Sequence, residues 1–214
     1  MTTALLPDSD DRCVILRDVS WTTYESLLRE LQGQHVFLTY DRGTLEIMSP
    51  SPRHAKIGKF IGRLIETFTL ELQIPIVALG NTTWKRPGLG RGAEGDECYY
   101  IAHAEWAKSR EEFDLDIDPP PDLVVEVDVA NSTLNKDEIY ADLKVPELWR
   151  YAADTLVFLH LDSSGGYQRR DRSFNLPMLP PQVVEDFVRR RNSADDTTLM
   201  SEFRKWINER FPKS

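Results

Sequence analysis

Two acids interrupt Asp122-Leu-Val-Val-Glu-Val-Asp-Val-Ala130, a run that otherwise reads as a buried β-strand. Side chains alternate across a strand, so Val125, Val127 and Val129 share one face and Glu126 and Asp128 the other. Carboxylates side by side in a core strand are costly unless a cation, a hydrogen-bond network or a partner charge meets them. This pair is the chain's clearest pointer to chemistry.

Two further pieces belong with it. In Glu94-Gly-Asp96, at the start of another strand, alternation puts Glu94, Asp96 and Cys98 on one face. Lys136 lies about one turn into the helix that leaves the Glu126 strand. If the two strands are neighbours, Asp96 and Glu126 meet at roughly 5 Å strand spacing. Converging carboxylates suit a hard cation such as magnesium, which takes oxygen ligands and keeps several waters. A lysine beside them can orient or help deprotonate an attacking water and offset charge growing on a phosphate. The parts suit metal-assisted hydrolysis of a phosphodiester.

The bulk properties set limits. At 214 residues, 41% hydrophobic and 29% charged, the chain suits one sizeable soluble domain. No apolar run is long enough for a membrane span or a secretory signal. Cys13 and Cys98 lie far apart, which points to reduced thiols in the cytoplasm and argues against a structural zinc site. A net charge of −9 argues against tight non-specific DNA binding, but not against a nuclease whose acids hold metal.

Local patterns supply the positioning elements. Residues 1–14 read as a flexible tail, and 15–214 as a single domain. Trp21–Leu31 is a helix capped by Ser20 or Thr22, followed by strands 35–40 and 44–48 around the Asp41-Arg-Gly43 turn. Ser51 and Pro52 start the longest helix, on which Ile57, Phe60, Ile61, Leu64, Ile65, Phe68 and Leu72 repeat at helical spacing. Strands are expected over 76–79, 82–85 and 94–101, then a charged helix over 103–113. After the Glu126 strand, Asn131-Ser132 caps a helix to about Lys144. Strands 147–151, 155–161 and 167–172 precede two C-terminal helices, 181–191 and 197–211. Such alternation predicts an α/β fold with a mixed sheet flanked by helices.

These residues also resemble a known family. Leu45-Glu-Ile-Met-Ser-Pro-Ser-Pro-Arg-His54, Glu94-Gly-Asp96, Pro121-Asp-Leu-Val-Val-Glu-Val-Asp128, Lys136 and Ile139-Tyr-Ala-Asp-Leu-Lys-Val-Pro-Glu-Leu-Trp-Arg-Tyr151 are similar to the Uma family of restriction-endonuclease-like proteins. That family belongs to the PD-(D/E)XK nuclease superfamily, and the resemblance covers about residues 18 to 190. It implies a restriction-endonuclease-like core, with a C-terminal helical pair added. It implies an endodeoxyribonuclease, a hydrolase using Mg2+ or substitute Mn2+ on DNA. Asp96 would be the first metal ligand and Glu126 the second, with Glu94 or Asp128 assisting. The superfamily lysine normally stands two residues after the second acid, where this chain has Asp128; Lys136 would replace it from the next helix. Glu46 and His54 fall on the N-terminal motif and would line the site. Gly95 departs from the family's usual proline. A homodimer would suit a double-strand cutter.

Each residue also has a structural reading. Glu126 and Asp128 could form a salt-bridged pair at a sheet edge, Asp96 a turn acid, Lys136 a solvated helix lysine. Glu46 could be an exposed strand acid, His54 a capping or packing residue, and Tyr140 and Trp149 core aromatics. At the level of function, the alternative is an inactive nuclease-fold protein serving as a DNA-binding or assembly module. A glycosidase fits poorly, because Glu126 and Asp128 stand roughly 7 Å apart on one strand and no aromatic-rich cleft accompanies them.

Overall fold

A computed structural model describes residues 11–128 and 134–212. Its centre is a nine-stranded sheet in the order β1-β3-β2-β5-β6-β7-β8-β9, with β4 pairing β5 off this path. The strands are β1 (Arg12–Leu16), β2 (Phe37–Asp41), β3 (Thr44–Ser49), β4 (Val77–Arg86), β5 (Arg91–Tyr100), β6 (Leu123–Asp128), β7 (Glu147–Ala152), β8 (Thr155–Leu161) and β9 (Tyr167–Arg170). Among the described residues only β6 and β7 pair in parallel; the other ladders run antiparallel. A parallel pair needs a crossover, and α4 (Lys136–Asp142) lies in the connection from β6 to β7.

The chain therefore folds as a restriction-endonuclease-like α/β protein with a mixed sheet between helical layers. On one face lies α2 (Pro52–Leu72), joined by α5 (Pro181–Arg190) and α6 (Asp196–Arg210). Its Phe60, Ile61, Leu64 and Phe68 pack with Val125, Val127, Trp149 and Phe203. On the other face, Ile139 and Tyr140 of α4 and Leu143 just after it pack with Trp84, Cys98, Val124 and Leu148. Burial on both faces explains why β6 is a nearly continuous apolar run. A third cluster, Tyr24, Leu38, Tyr40 and Leu45, seats α1 (Trp21–Glu30) on the β2–β3 hairpin. Ser20 caps α1, and Ser51 caps α2 through the His54 N–H.

Several expectations need correction. Residues 12–14, expected in the tail, belong to β1, whose Arg12-Cys-Val-Ile-Leu16 run pairs with β3. The expected helix over 103–113 reduces to α3 (Ala104–Ala107). There the rings of Tyr100, Trp106 and Phe113 gather with Trp84, and this packing overrides the helical pattern. Strands 76–79 and 82–85 are one strand, β4, irregular near Gly80. Lys136 is the first residue of α4 rather than one turn in, and Asn135 is its N-cap position. The proposed caps Asn131 and Ser132 lie outside the described residues.

Candidate active site

Strand β5 carries one register irregularity with direct consequences. Against β4, Thr82 pairs with Gly95 and Gly80 with Cys98, so Asp96 and Glu97 together oppose a single residue. An extra residue in one strand breaks the two-residue alternation. Gly95 and Cys98 face Val124 and Tyr140 on the α4 side. Asp96 and Glu97 both turn toward α2, where a Cβ added to Gly58 would lie 3.5 Å from Asp96 Cβ. A Cβ added to Gly62 would fall 2.8 Å from the Glu97 carboxylate, so this glycine makes room for a buried acid. The expectation that Asp96 and Cys98 share a face thus fails at the bulge.

Asp96 lies where β5 and β6 diverge. Its Oδ2 accepts the Val127 backbone N–H at 2.8 Å, and its Oδ1 accepts from His54 Nε2 at 2.7 Å. The other ring nitrogen, Nδ1, lies 2.7 Å from Asp11 Oδ2, while Asp11 Oδ1 accepts the Ser51 N–H. Burial opposes a charge on His54, yet the bonds to Asp11 and Asp96 push its pKa up to about 10. The ring is therefore an imidazolium clamped between two carboxylates.

Glu126, only 1% exposed, points to the α4 side. Lys136 Nζ donates to its Oε2 at 2.6 Å and the Tyr140 hydroxyl to its Oε1 at 2.5 Å. Burial works against the Lys136 charge, but the carboxylates of Glu126 and Asp96 outweigh it and hold the ammonium protonated. Burial drives the Glu126 carboxyl upward and the Asp96 charge adds to this. But Asp96 leaves the sheet toward α2 and Glu126 toward α4, so the expected side-by-side meeting of the two acids on one face is not found. Lys136 is 5% exposed, and its solvated alternative is excluded.

The remaining candidates divide. Glu46, His54, Asp128 and Lys136 line one cavity of about 10 Å³, together with Asp11 and Cys13. That is close to the space of one water. Glu46 is buried, not an exposed strand acid. Asp128 pairs with Arg150 at 3.3 Å. Glu94 is committed elsewhere: it accepts the Leu38 N–H at 2.9 Å and the Thr83 hydroxyl at 2.6 Å, tying β2 to β4. It does share with Asp96 and Glu97 a cleft of about 840 Å³, bounded by Lys59 and Phe37. Burial pushes the Glu97 carboxyl up to about 7, against the pull of Lys59.

Sequence reading missed Asp11, Tyr140 and Glu97. Tyr140 stands four residues after Lys136, the spacing that stacks side chains on one helix face, and could have been found. Glu97 follows Asp96 directly, and only the bulge turns both the same way. Nothing in the sequence near Asp11 announces its contact.

Fold and buried acids together define a restriction-endonuclease-like protein. The chain belongs to the Uma2 family, whose model, described as "Putative restriction endonuclease", matches residues 21–192. No curated protein matches the chain significantly. Asp11 lies before the matched span. Among the described residues no helix is long and apolar enough to cross a membrane.

Proposed function

We propose that this protein is a magnesium-dependent endonuclease that hydrolyses DNA phosphodiester bonds, with manganese as a working substitute. The observation that carries this reading is the buried contact of Lys136 with Glu126 at 2.6 Å, beside the fork occupied by Asp96. A purely apolar core would gain nothing from such a pair, because desolvating both charges offsets their attraction.

The donor set suits a hard divalent ion, which accepts one or two carboxylates and fills its sphere with waters and phosphate oxygens. Among the described residues, no three His, Cys, Asp or Glu side chains converge to hold an ion alone. Asp96 and Glu126 would be the principal ligands, meeting positive charge that His54 and Lys136 now supply. Asp128 would assist through water; Glu94, whose two oxygens are held by Leu38 and Thr83, would contribute only its charge from the shared cleft. Bound there, the ion would polarise a phosphate and acidify a water. Lys136 would orient that water and offset charge on the phosphate. His54, fixed by Asp11, would keep Asp96 aimed into the fork. A cytoplasmic homodimer would bring two such sites to the two strands.

The test is cleavage of duplex DNA in Mg2+ or Mn2+ by Asp96→Asn and Glu126→Gln. Both should lose essentially all activity while remaining folded; parental rates in both would end the reading. One observation favours the inactive-module alternative: each acid already has a cationic partner from the protein itself. That alternative requires the unaltered chain to bind DNA and leave it intact in either metal.

A further inference from the structure

The outer face of α2 carries Arg53, Lys56, Lys59 and Arg63, and no acid occurs on this helix before Glu66. In a chain of net charge −9, that is a local reversal of sign. The buried stripe of Ile57, Phe60, Ile61 and Leu64 turns these four cations outward. Ten residues at ~1.5 Å each separate Arg53 from Arg63 by about 15 Å. That matches the axial length of roughly four base pairs at ~3.4 Å each.

Other cations nearby in the sequence are already committed. Lys85 pairs with Glu25 at 2.8 Å, Arg86 with Asp116 at 3.4 Å, and Arg91 is buried between Asp41 and Asp142. Of the α2 cations, Arg63 is likewise committed, donating to Asp196 at 3.2 Å, whereas Lys59 and Arg53 are held more loosely. Lys59 lies 3.8 Å from Glu97 and is 68% exposed. Arg53 lies 3.9 Å from Asp154 and is 60% exposed. Pairs this long and this exposed yield readily to a competing anion.

A groove of about 660 Å³ runs along one flank of this ridge, lined by Arg53, Lys56, Arg189 and Arg191 and also by Asp154, Asp195 and Asp196. Of these acids, Asp154 faces Arg53 and Asp196 faces Arg191. Arg189 is 62% exposed and reaches only its helical neighbour Asp186, at 3.7 Å. Arg191 is a fixed wall instead, lying over the Phe60 ring and paired with Asp196 at 3.4 Å. The opposite flank of α2 meets Asp96 through Gly58. The ridge thus stands between the cleft that holds Asp96 and Glu97 and a groove of mixed charge whose exposed cations are Arg53, Lys56 and Arg189.

We infer that the outer face of α2, with Arg189 across the groove, is a docking surface for the phosphate backbone of duplex DNA. It seats a strand beside Asp96. The choice of duplex DNA rests on the nuclease reading; the demand for a polyanion comes from the surface itself. Phosphate contacts of this kind fix position without reading sequence.

The test measures binding of the full chain to a fluorescent duplex by anisotropy, in EDTA, over a salt series. Lys56→Glu and Arg189→Glu should each weaken binding about tenfold and lower the salt slope by about one. Arg169→Glu, the same charge change on exposed β9, should leave both unchanged. Matching Tm values show that the variants remain folded. The inference is overturned if the unaltered chain does not bind duplex, if neither groove variant changes affinity and slope, or if Arg169→Glu weakens binding equally. Binding that follows the expectation without any cleavage in Mn2+ would sink the nuclease reading and leave the docking surface standing.

Discussion

Lys136 Nζ and Glu126 Oε2 lie 2.6 Å apart, joined across the connection that carries the chain from β6 into α4. Both side chains are almost wholly buried, and Tyr140 holds the second Glu126 oxygen from the same helix. The pair therefore locks the start of α4 to the end of the central strand.

Breaking this pair should be costly in a recognisable way. Lys136→Met leaves a buried carboxylate without its cation and should destabilise the fold by about 3 kcal/mol. Glu126→Gln should also destabilise, and the double variant should lose less than the sum, with a coupling of at least about 1 kcal/mol. Urea denaturation of the four proteins measures the cycle. Additivity within about 0.5 kcal/mol would mean that the contact contributes nothing.

Asp11→Asn removes one of the two anions that hold His54 charged. Loss of this charged hydrogen bond should destabilise by about 1–3 kcal/mol at neutral pH. The pH dependence has a definite sign. The folded pKa of His54, about 10, stands above its ordinary 6.5. Its stabilisation is therefore complete below pH 6.5 and is lost as pH rises toward about 10. The variant should show a flatter decline over that window, read by denaturation at successive pH values. Imidazole resonances of His54 should titrate at lower pH in the variant.

Two glycines make opposite predictions for one added methyl. At Gly95 a Cβ would lie 2.7 Å from Val124 Cγ1 and 2.8 Å from Cys98 Sγ, both fully buried. Gly95→Ala should therefore destabilise by about 1–3 kcal/mol through overpacking. At Gly58 the nearest neighbour is 3.5 Å away, an ordinary contact, and the position is helical. Gly58→Ala should gain about 0.5–1 kcal/mol from reduced chain entropy. Thermal melts that shift both variants in the same direction would contradict this packing.

The sequence carried the elements and the acids, but not how the acids pair. Periodicity located α2, the β2–β3 hairpin and the β7–β8 strands, because each has a long stripe or alternation and a turn or cap beside it. The anomaly of Glu126 inside a valine run was visible because burial leaves polar residues conspicuous. Lys136 could be set near Glu126 because its helix leaves that strand, but one lysine on a short helix has no distinguishing pattern, so its burial against the acid was not legible. The orientation of Asp96 was hidden, because it depends on a bulge set by pairing with β4, a non-local fact. Asp11 was hidden for a similar reason: its partners, Ser51 and His54, are some forty residues away.

Strand β1 gives that last contact a practical meaning. A fragment cut to the boundaries of the family match would begin at Trp21 and leave out both β1 and Asp11. The β3 backbone would then be an uncovered rim, open to pairing with other chains, and His54 would keep only one of its two anionic neighbours. Poor behaviour in such a shortened protein would reflect the trimming, not the chemistry of the intact chain.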